Sequence, residues 1–303
     1  MDTGELQTQA GTQSGVHWRK KVLAAAVVCP DCRKSLIERA ERLACPACDS
    51  EFQLYYGVPK IYPPSRAAAL EASIAGFHGA RAGVRQSRFF RALLPPNPIC
   101  DPGDKAREAR VKAAMPDGLV VNLGSKSDNW GAHVANLDLV LPLGESGNVD
   151  ILGDIERLPF GDATVDGIIC TSVLEHVANS MACIQEIVRV VKPGGHIYVT
   201  VPFIFPTHPD PLDRWRWTLD GLRHSLSAFH EISAGPCGGP FSAYLAVTPT
   251  LMASMFSNFY LFNAVRFALG WLLWPVKFLD YLACRSDKAY MAPANFYFFG
   301  RKV

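Results

Sequence analysis

The sequence predicts an α/β protein: a mostly parallel sheet covered by helices on both faces, preceded by a small cysteine-bearing unit. Two observations carry this. From residue 118 onward, short apolar strands alternate with helical patterns, and that alternation builds parallel sheets whose two faces are both covered. Before residue 63, four cysteines stand as two CPxC pairs, "CPDC" and "CPAC". The chain of 303 residues is 49% hydrophobic and 19% charged, enough for a sizeable core.

Residues 1–26 open with a polar run rich in Gly, Thr, Gln and Ser, read as a disordered tail. Residues 1–20 carry no apolar signal core. Residues 27–62 form the cysteine unit, and "YPPS" closes it. Residues 63–117 read as Ala- and Arg-rich helices, a linker or cap, interrupted by "LLPPNPICDPGD". Then come the strands "GLVVNLG", "VANLDLV", "VDILGD" and "VDGIICTS". The stretch "NSMACIQEIVRVVKPGG" reads as a helix with Met181, Ile184, Ile187, Val188 and Val191 on one face. "PGG" is expected to stop it. "HIYVTVPF" is a fifth strand and "ANFYFFGRKV" a last one.

Net charge is +2 with no long basic block, which argues against a nucleic-acid partner. Of nine cysteines, Cys100, Cys170, Cys183, Cys237 and Cys284 are scattered, mostly in apolar runs, and read as small core residues. The remaining four, Cys29, Cys32, Cys45 and Cys48, have two residues inside each pair and twelve between the pairs. Each C-x-x-C turn presents two thiolates, and two such turns complete the tetrahedral sulfur set of a structural zinc site. Redox chemistry is the other reading of such pairs. The cysteine usage points to a reducing, cytoplasmic setting. With the following "FQLYYGVPKIYPP", the unit resembles the Trm112-like zinc ribbon, a module found fused or bound to methyltransferases.

Four later stretches, "VVNLGS", "NLDL", "GDIERLPFGDATVDGIICTSVLEHV" and "RVVKPGGHIYVTVPF", resemble a class I S-adenosylmethionine-dependent methyltransferase of the type 11 group. The resemblance implies a Rossmann-like, seven-stranded sheet and a cofactor site at the strand ends. Gly124 would let the cofactor's methionine part approach the backbone. Asp138 would accept the ribose hydroxyls. Asp154 would meet the adenine amino group, with Ile155 beside the ring, and Ser172 completes the set. Asn122 stands where the family has an acid, and its amide oxygen would accept from the cofactor's ammonium. Lys126 replaces a family glycine, and only fourteen positions separate Gly124 from Asp138, so the first helix is expected to be short. Glu175–His176 reads as support for the next helix.

After the fifth strand, "HPDPLDRWRWT" (208–218) resembles a stretch of methyltransferases associated with glycan assembly. His208 is the expected general base and Asp213 its partner. Arg214 and Arg216 are expected to hold a carboxylate or phosphate, and Trp215 and Trp217 to stack on a sugar. The apolar stretch 250–284 is interrupted by Arg266 and Lys277. It reads as a buried lid, a membrane-surface helix or a single span. The sequence thus points to a cytoplasmic methyltransferase with a structural Zn2+, acting on a saccharide or lipid-linked glycan hydroxyl, with 250–284 as a candidate membrane contact or lid. Its rivals are a non-catalytic scaffold and methylation of RNA or a translation-associated protein.

Overall fold

The computed structural model describes residues 27–39, 42–82, 94–115, 118–125, 130–131, 134–141 and 149–303. The expected tail 1–26 and Lys126 lie outside the described residues. Four short strands come first: β1 (Ile37–Arg39), β2 (Arg42–Ala44), β3 (Glu51–Tyr55) and β4 (Val58–Ile61). Helices α1 (Ala67–Ala82) and α2 (Asp104–Ala114) follow. Then come β5 (Val120–Leu123), β6 (Val134–Asp138), β7 (Ile151–Gly153), β8 (Val165–Thr171), α3 (Ser180–Val190) and β9 (Val191–Pro202). The chain ends with α4 (Leu219–Ser225), β10 (Phe229–Cys237), α5 (Pro240–Ala253), α6 (Phe259–Leu273), α7 (Asp280–Ala283) and β11 (Asn295–Lys302).

Seven strands run in the order β7-β6-β5-β8-β9-β11-β10. The first five are parallel to one another, and β9, β11 and β10 pair antiparallel. This is the expected mostly parallel seven-stranded sheet. Central β5 is buried at all four positions, as a strand covered on both faces must be. Its alternate side chains serve two cores. Val121 and Leu123 face the cluster that includes Ile184 and Ile187 of α3 and Leu222 of α4. Val120 faces Val111 and Met115 at the end of α2.

The cysteine unit is not a separate bead. β4 pairs parallel with β7, Lys60 opposite Leu152 and Ile61 opposite Gly153, so the ribbon extends the sheet to eleven strands. Val28 N–H donates to Pro159 C=O at 2.9 Å. Cys29, Cys45, Phe52 and Ile61 share one buried cluster with Leu158 and Phe160.

Two expectations are corrected. Helix α3 ends at Val190, and "KPGG" lies inside β9 rather than capping the helix. Consecutive β-branched Val190 and Val191 favour extension, and Pro193 biases Lys192 away from the helical region. The buried face of α3 is accordingly Cys183, Ile184, Ile187 and Val190, while Met181 is exposed. Second, α6 has no buried residue, which removes the buried-lid reading of 250–284. The helical run Phe259–Ala283 is long and apolar enough to cross a membrane, with a mean hydropathy of 1.2. It is anchored from one end: buried Asp280 accepts from Phe241 N–H and Ser242 N–H, both at 2.9 Å, at the start of α5. A carboxylate there meets the helix's unpaired N–H groups.

Candidate cofactor and acceptor site

The carboxyl ends of the parallel strands gather the predicted cofactor residues on one rim, where open α/β sheets bind ligands. At the end of β5, Gly124 has φ +67°, and its N–H donates to Leu137 C=O at 2.8 Å. A Cβ added there would lie 2.5 Å from Val173 Cγ2. The glycine is therefore demanded by the turn and by Val173, before any cofactor is considered. Gly124→Ala is expected to cost about 1–2 kcal/mol from the left-handed backbone alone, read by urea denaturation. An unchanged midpoint would disprove the strain.

Two buried polar atoms near this turn lack a hydrogen-bond partner: Asn122 Oδ1 and Ser125 Oγ. Asn122 uses its amide N–H on Asn136 Oδ1 at 3.2 Å, which leaves the oxygen for a donor. Orphaned buried acceptors are costly unless a ligand or water completes them. They fit the ammonium-binding role expected of Asn122. Asp138 ends β6, and its Oδ1 accepts from Leu139 N–H at 2.7 Å. Ser172 follows β8 with φ +52° and is exposed; its N–H donates to Thr200 C=O.

Asp154 is engaged by an arginine from beyond the ribbon. It is buried, and Arg66 Nε donates to its Oδ2 at 2.6 Å while Glu156 N–H donates to Oδ1 at 2.9 Å. The same guanidinium reaches Glu156 Oε2 at 2.7 Å. Arg66 sits in the turn Pro64–Arg66 just beyond the ribbon. Burial raises the Asp154 carboxyl above its ordinary value, and Arg66 opposes that. Ile155 beside it is half-buried. Tyr62, also beyond β4, donates its hydroxyl to Leu139 C=O next to Asp138. The cofactor rim is thus partly built by the cysteine unit, which the sequence did not reveal.

The expected acceptor loop turns much of its chemistry inward. Arg216 makes a bidentate pair with Asp213, at 2.5 and 2.6 Å. Arg214 Nη1 donates to His176 C=O at 2.6 Å, and Trp215 Nε1 to Val177 C=O at 3.0 Å. Trp217 packs partly buried against the main core. These contacts occupy donors of Arg214, Trp215 and Arg216, while Trp217 Nε1 is buried without a hydrogen-bond partner. Arg216 holds Asp213 below the ordinary carboxylate range, at about 2. His208 lies with Nδ1 at 3.3 Å from Asp213 Oδ2 and Nε2 at 3.6 Å from Glu175 Oε1. Glu175 chiefly raises its pKa.

A cavity of about 390 Å³ opens on the α2 face of the same rim. Thr171 and Thr200 line its floor, Trp130 and Tyr198 add aromatic walls, and Asp101 and Arg107 add charge. Arg107 is buried, donates to Tyr198 Oη at 3.0 Å and pairs with Asp101. No local signal marked this pocket, because the start of α2 lies some sixty positions before β8 in the chain.

The four cysteine sulfurs converge as expected. Cys29 and Cys48 Sγ are 3.6 Å apart and Cys32 and Cys45 Sγ 3.3 Å, all four lying within 4.8 Å of one another. Those gaps exceed a disulfide and match the edge, about 3.8 Å, of a tetrahedron with metal–sulfur bonds of about 2.3 Å. Each turn repeats the other. Arg33 N–H donates to Cys29 C=O and Asp49 N–H to Cys45 C=O, with φ of 61° and 55°.

Residues 129–199 match the family described as a methyltransferase domain. The demethylmenaquinone methyltransferase of Mycobacterium tuberculosis H37Rv is 41% identical over 124 residues, 41% of this chain and 51% of that protein. The demethylmenaquinone methyltransferase of Mycobacterium sp. JLS is 30% identical over 124 residues, 41% of this chain and 52% of that protein. The chain therefore spans about half the length of the curated relatives it matches. Among solved structures, the Burkholderia thailandensis 1,6-didemethyltoxoflavin-N1-methyltransferase with S-adenosylhomocysteine is 14% identical, with a TM-score of 0.42 over 88% of this chain and 98% of that one. The methyltransferase domain match covers β6 to β9, the stretch that carries Asp138 and Asp154.

Proposed function

We propose that the chain transfers a methyl group from S-adenosylmethionine to a small polar head group borne by a lipid, with a hydroxyl of a lipid-linked saccharide as the leading acceptor. The observation that carries it is the match of 129–199, with Asp138 inside it, to a methyltransferase domain; the orphaned Asn122 and Ser125 oxygens of the preceding strand and turn support it. When bound, the cofactor supplies an electrophilic sulfonium methyl. Asp138 would hold the ribose, and Asn122 Oδ1 would accept from the ammonium. The four cysteines would hold a structural Zn2+, because a closed four-sulfur site leaves no position for substrate.

The cavity beside Thr171 and Thr200 suits one ring-sized head group. The exposed apolar residues of α6, among them Phe259, Trp271 and Leu272, suit a lipid surface from which such an acceptor could be presented. A second reading, a prenylated ring as acceptor, rests on the identity to demethylmenaquinone methyltransferases.

The test follows labelled methyl from S-adenosylmethionine into vesicle fractions, one carrying lipid-linked glycans and one carrying demethylated quinones. Label in the glycan fraction is expected, and Asp138→Ala should reduce cofactor affinity about tenfold or more by calorimetry, the worth of a charge-assisted hydrogen bond. No binding of the cofactor at millimolar concentration would exclude the enzymatic reading. Label confined to the quinone fraction would replace the first acceptor with the second.

A further inference from the structure

We propose that Glu175, His176 and His208 form a divalent-cation site distinct from the four cysteines. Glu175 is wholly buried, yet neither of its carboxylate oxygens accepts a hydrogen bond. Its Oε1 instead faces His176 Nε2 at 3.8 Å and His208 Nε2 at 3.6 Å. The three donor atoms lie within 4.8 Å of one another. A first-row cation with ligand bonds of about 2.0–2.2 Å needs neighbouring donors about 3.0–3.4 Å apart, so closure requires only modest rotamer shifts. Both imidazoles are also oriented for the task. His176 Nδ1 lies 2.7 Å from Leu212 C=O, and His208 Nδ1 lies 3.2 Å from Pro206 C=O and 3.3 Å from Asp213 Oδ2. Such outward contacts fix the tautomer that leaves Nε2 as ligand.

Two nitrogens and one carboxylate suit borderline cations such as Mn2+, Fe2+, Co2+ or Zn2+, and leave coordination positions open to water or an oxygen ligand. The site joins the end of the β8 segment to the loop before α4, so an ion there ties the loop to the sheet rim. His208, read from sequence as a base, becomes a ligand. The proposal stands or falls independently of the acceptor.

The test uses Mn2+, which the thiolate cluster disfavours. Full-length protein with its zinc retained is titrated with Mn2+, and free Mn2+ is followed by electron paramagnetic resonance. About one bound ion per chain is expected, with affinity falling tenfold or more in Glu175→Gln and in His208→Gln. His208 is partly exposed, so its variant should fold even where the buried Glu175 substitution does not, and thermal melting checks both. A metal-free histidine–carboxylate ion pair predicts no bound Mn2+, and that result overturns the site. Binding that survives both substitutions overturns it equally.

Discussion

Removing the zinc proposed for the four-cysteine cluster is expected to loosen the parallel sheet, not only the ribbon. Cys29 and Cys45 are buried in the same cluster as Leu158 and Phe160, and β4 supplies the edge partner of β7. Without an ion, four thiols crowd a volume shaped for tetrahedral coordination. Structural zinc is worth about 10–16 kcal/mol in isolated modules. Here the surrounding core retains part of the fold, so a loss of at least about 3 kcal/mol is expected on chelation or in Cys45→Ser. Hydrogen exchange is the decisive readout. Amides of 151–158 should lose protection together with those of the ribbon, although none of these residues is a ligand. Unchanged exchange over 151–158 would make the ribbon an independent appendage.

Arg66→Ala should be nearly as costly. Asp154 and Glu156 are both buried, and Arg66 is the cation that bridges them, at 2.6 and 2.7 Å. Removing it leaves two close carboxylates without their counter-charge, a loss of about 3 kcal/mol, the low end for breaking a buried pair because Arg66 is itself partly exposed. The pH dependence fixes the cause. Burial already holds the folded Asp154 pKa above its unfolded value. Such a group favours folding when protonated, and its contribution is lost as pH rises through the folded pKa. Removing Arg66 raises that pKa further, so the deficit of Arg66→Ala should be full at neutral pH and shrink as the solution is acidified toward the carboxylate range. A deficit constant with pH would mean lost packing rather than lost charge. Arg66→Lys should recover part of the stability, since Lys keeps the charge but not the fork that reaches both acids.

Much of the fold was legible because its signals are local. The alternation of short apolar strands with helical patterns marked β5 to β9, and a C-x-x-C turn carries its ligand geometry within four residues. Asn122, Gly124, Asp138, Asp154 and Ser172 were placed on one rim because each lies at or just past the carboxyl end of a parallel strand. The misreadings came from contacts that spacing does not encode. Helix α3 was extended too far because its apolar period runs on into Val191. The loop 208–218 was read as a grip for substrate because its residue types fit one, yet Asp213 and the carbonyls of His176 and Val177 satisfy most of those groups.

The sequence by itself therefore determined the architecture, the four-cysteine set and the strand-end residues of a methyltransferase domain, because periodicity and short motifs are properties of neighbouring positions. Only the tertiary structure decided that Arg66 reaches Asp154, that α2 walls a cavity against β8 and β9, and that the Glu175–His176 pair meets His208 across a loop. Those pairings join residues that the sheet brings together from distant parts of the chain, and the burial that gives each its chemistry exists only once the layers have packed.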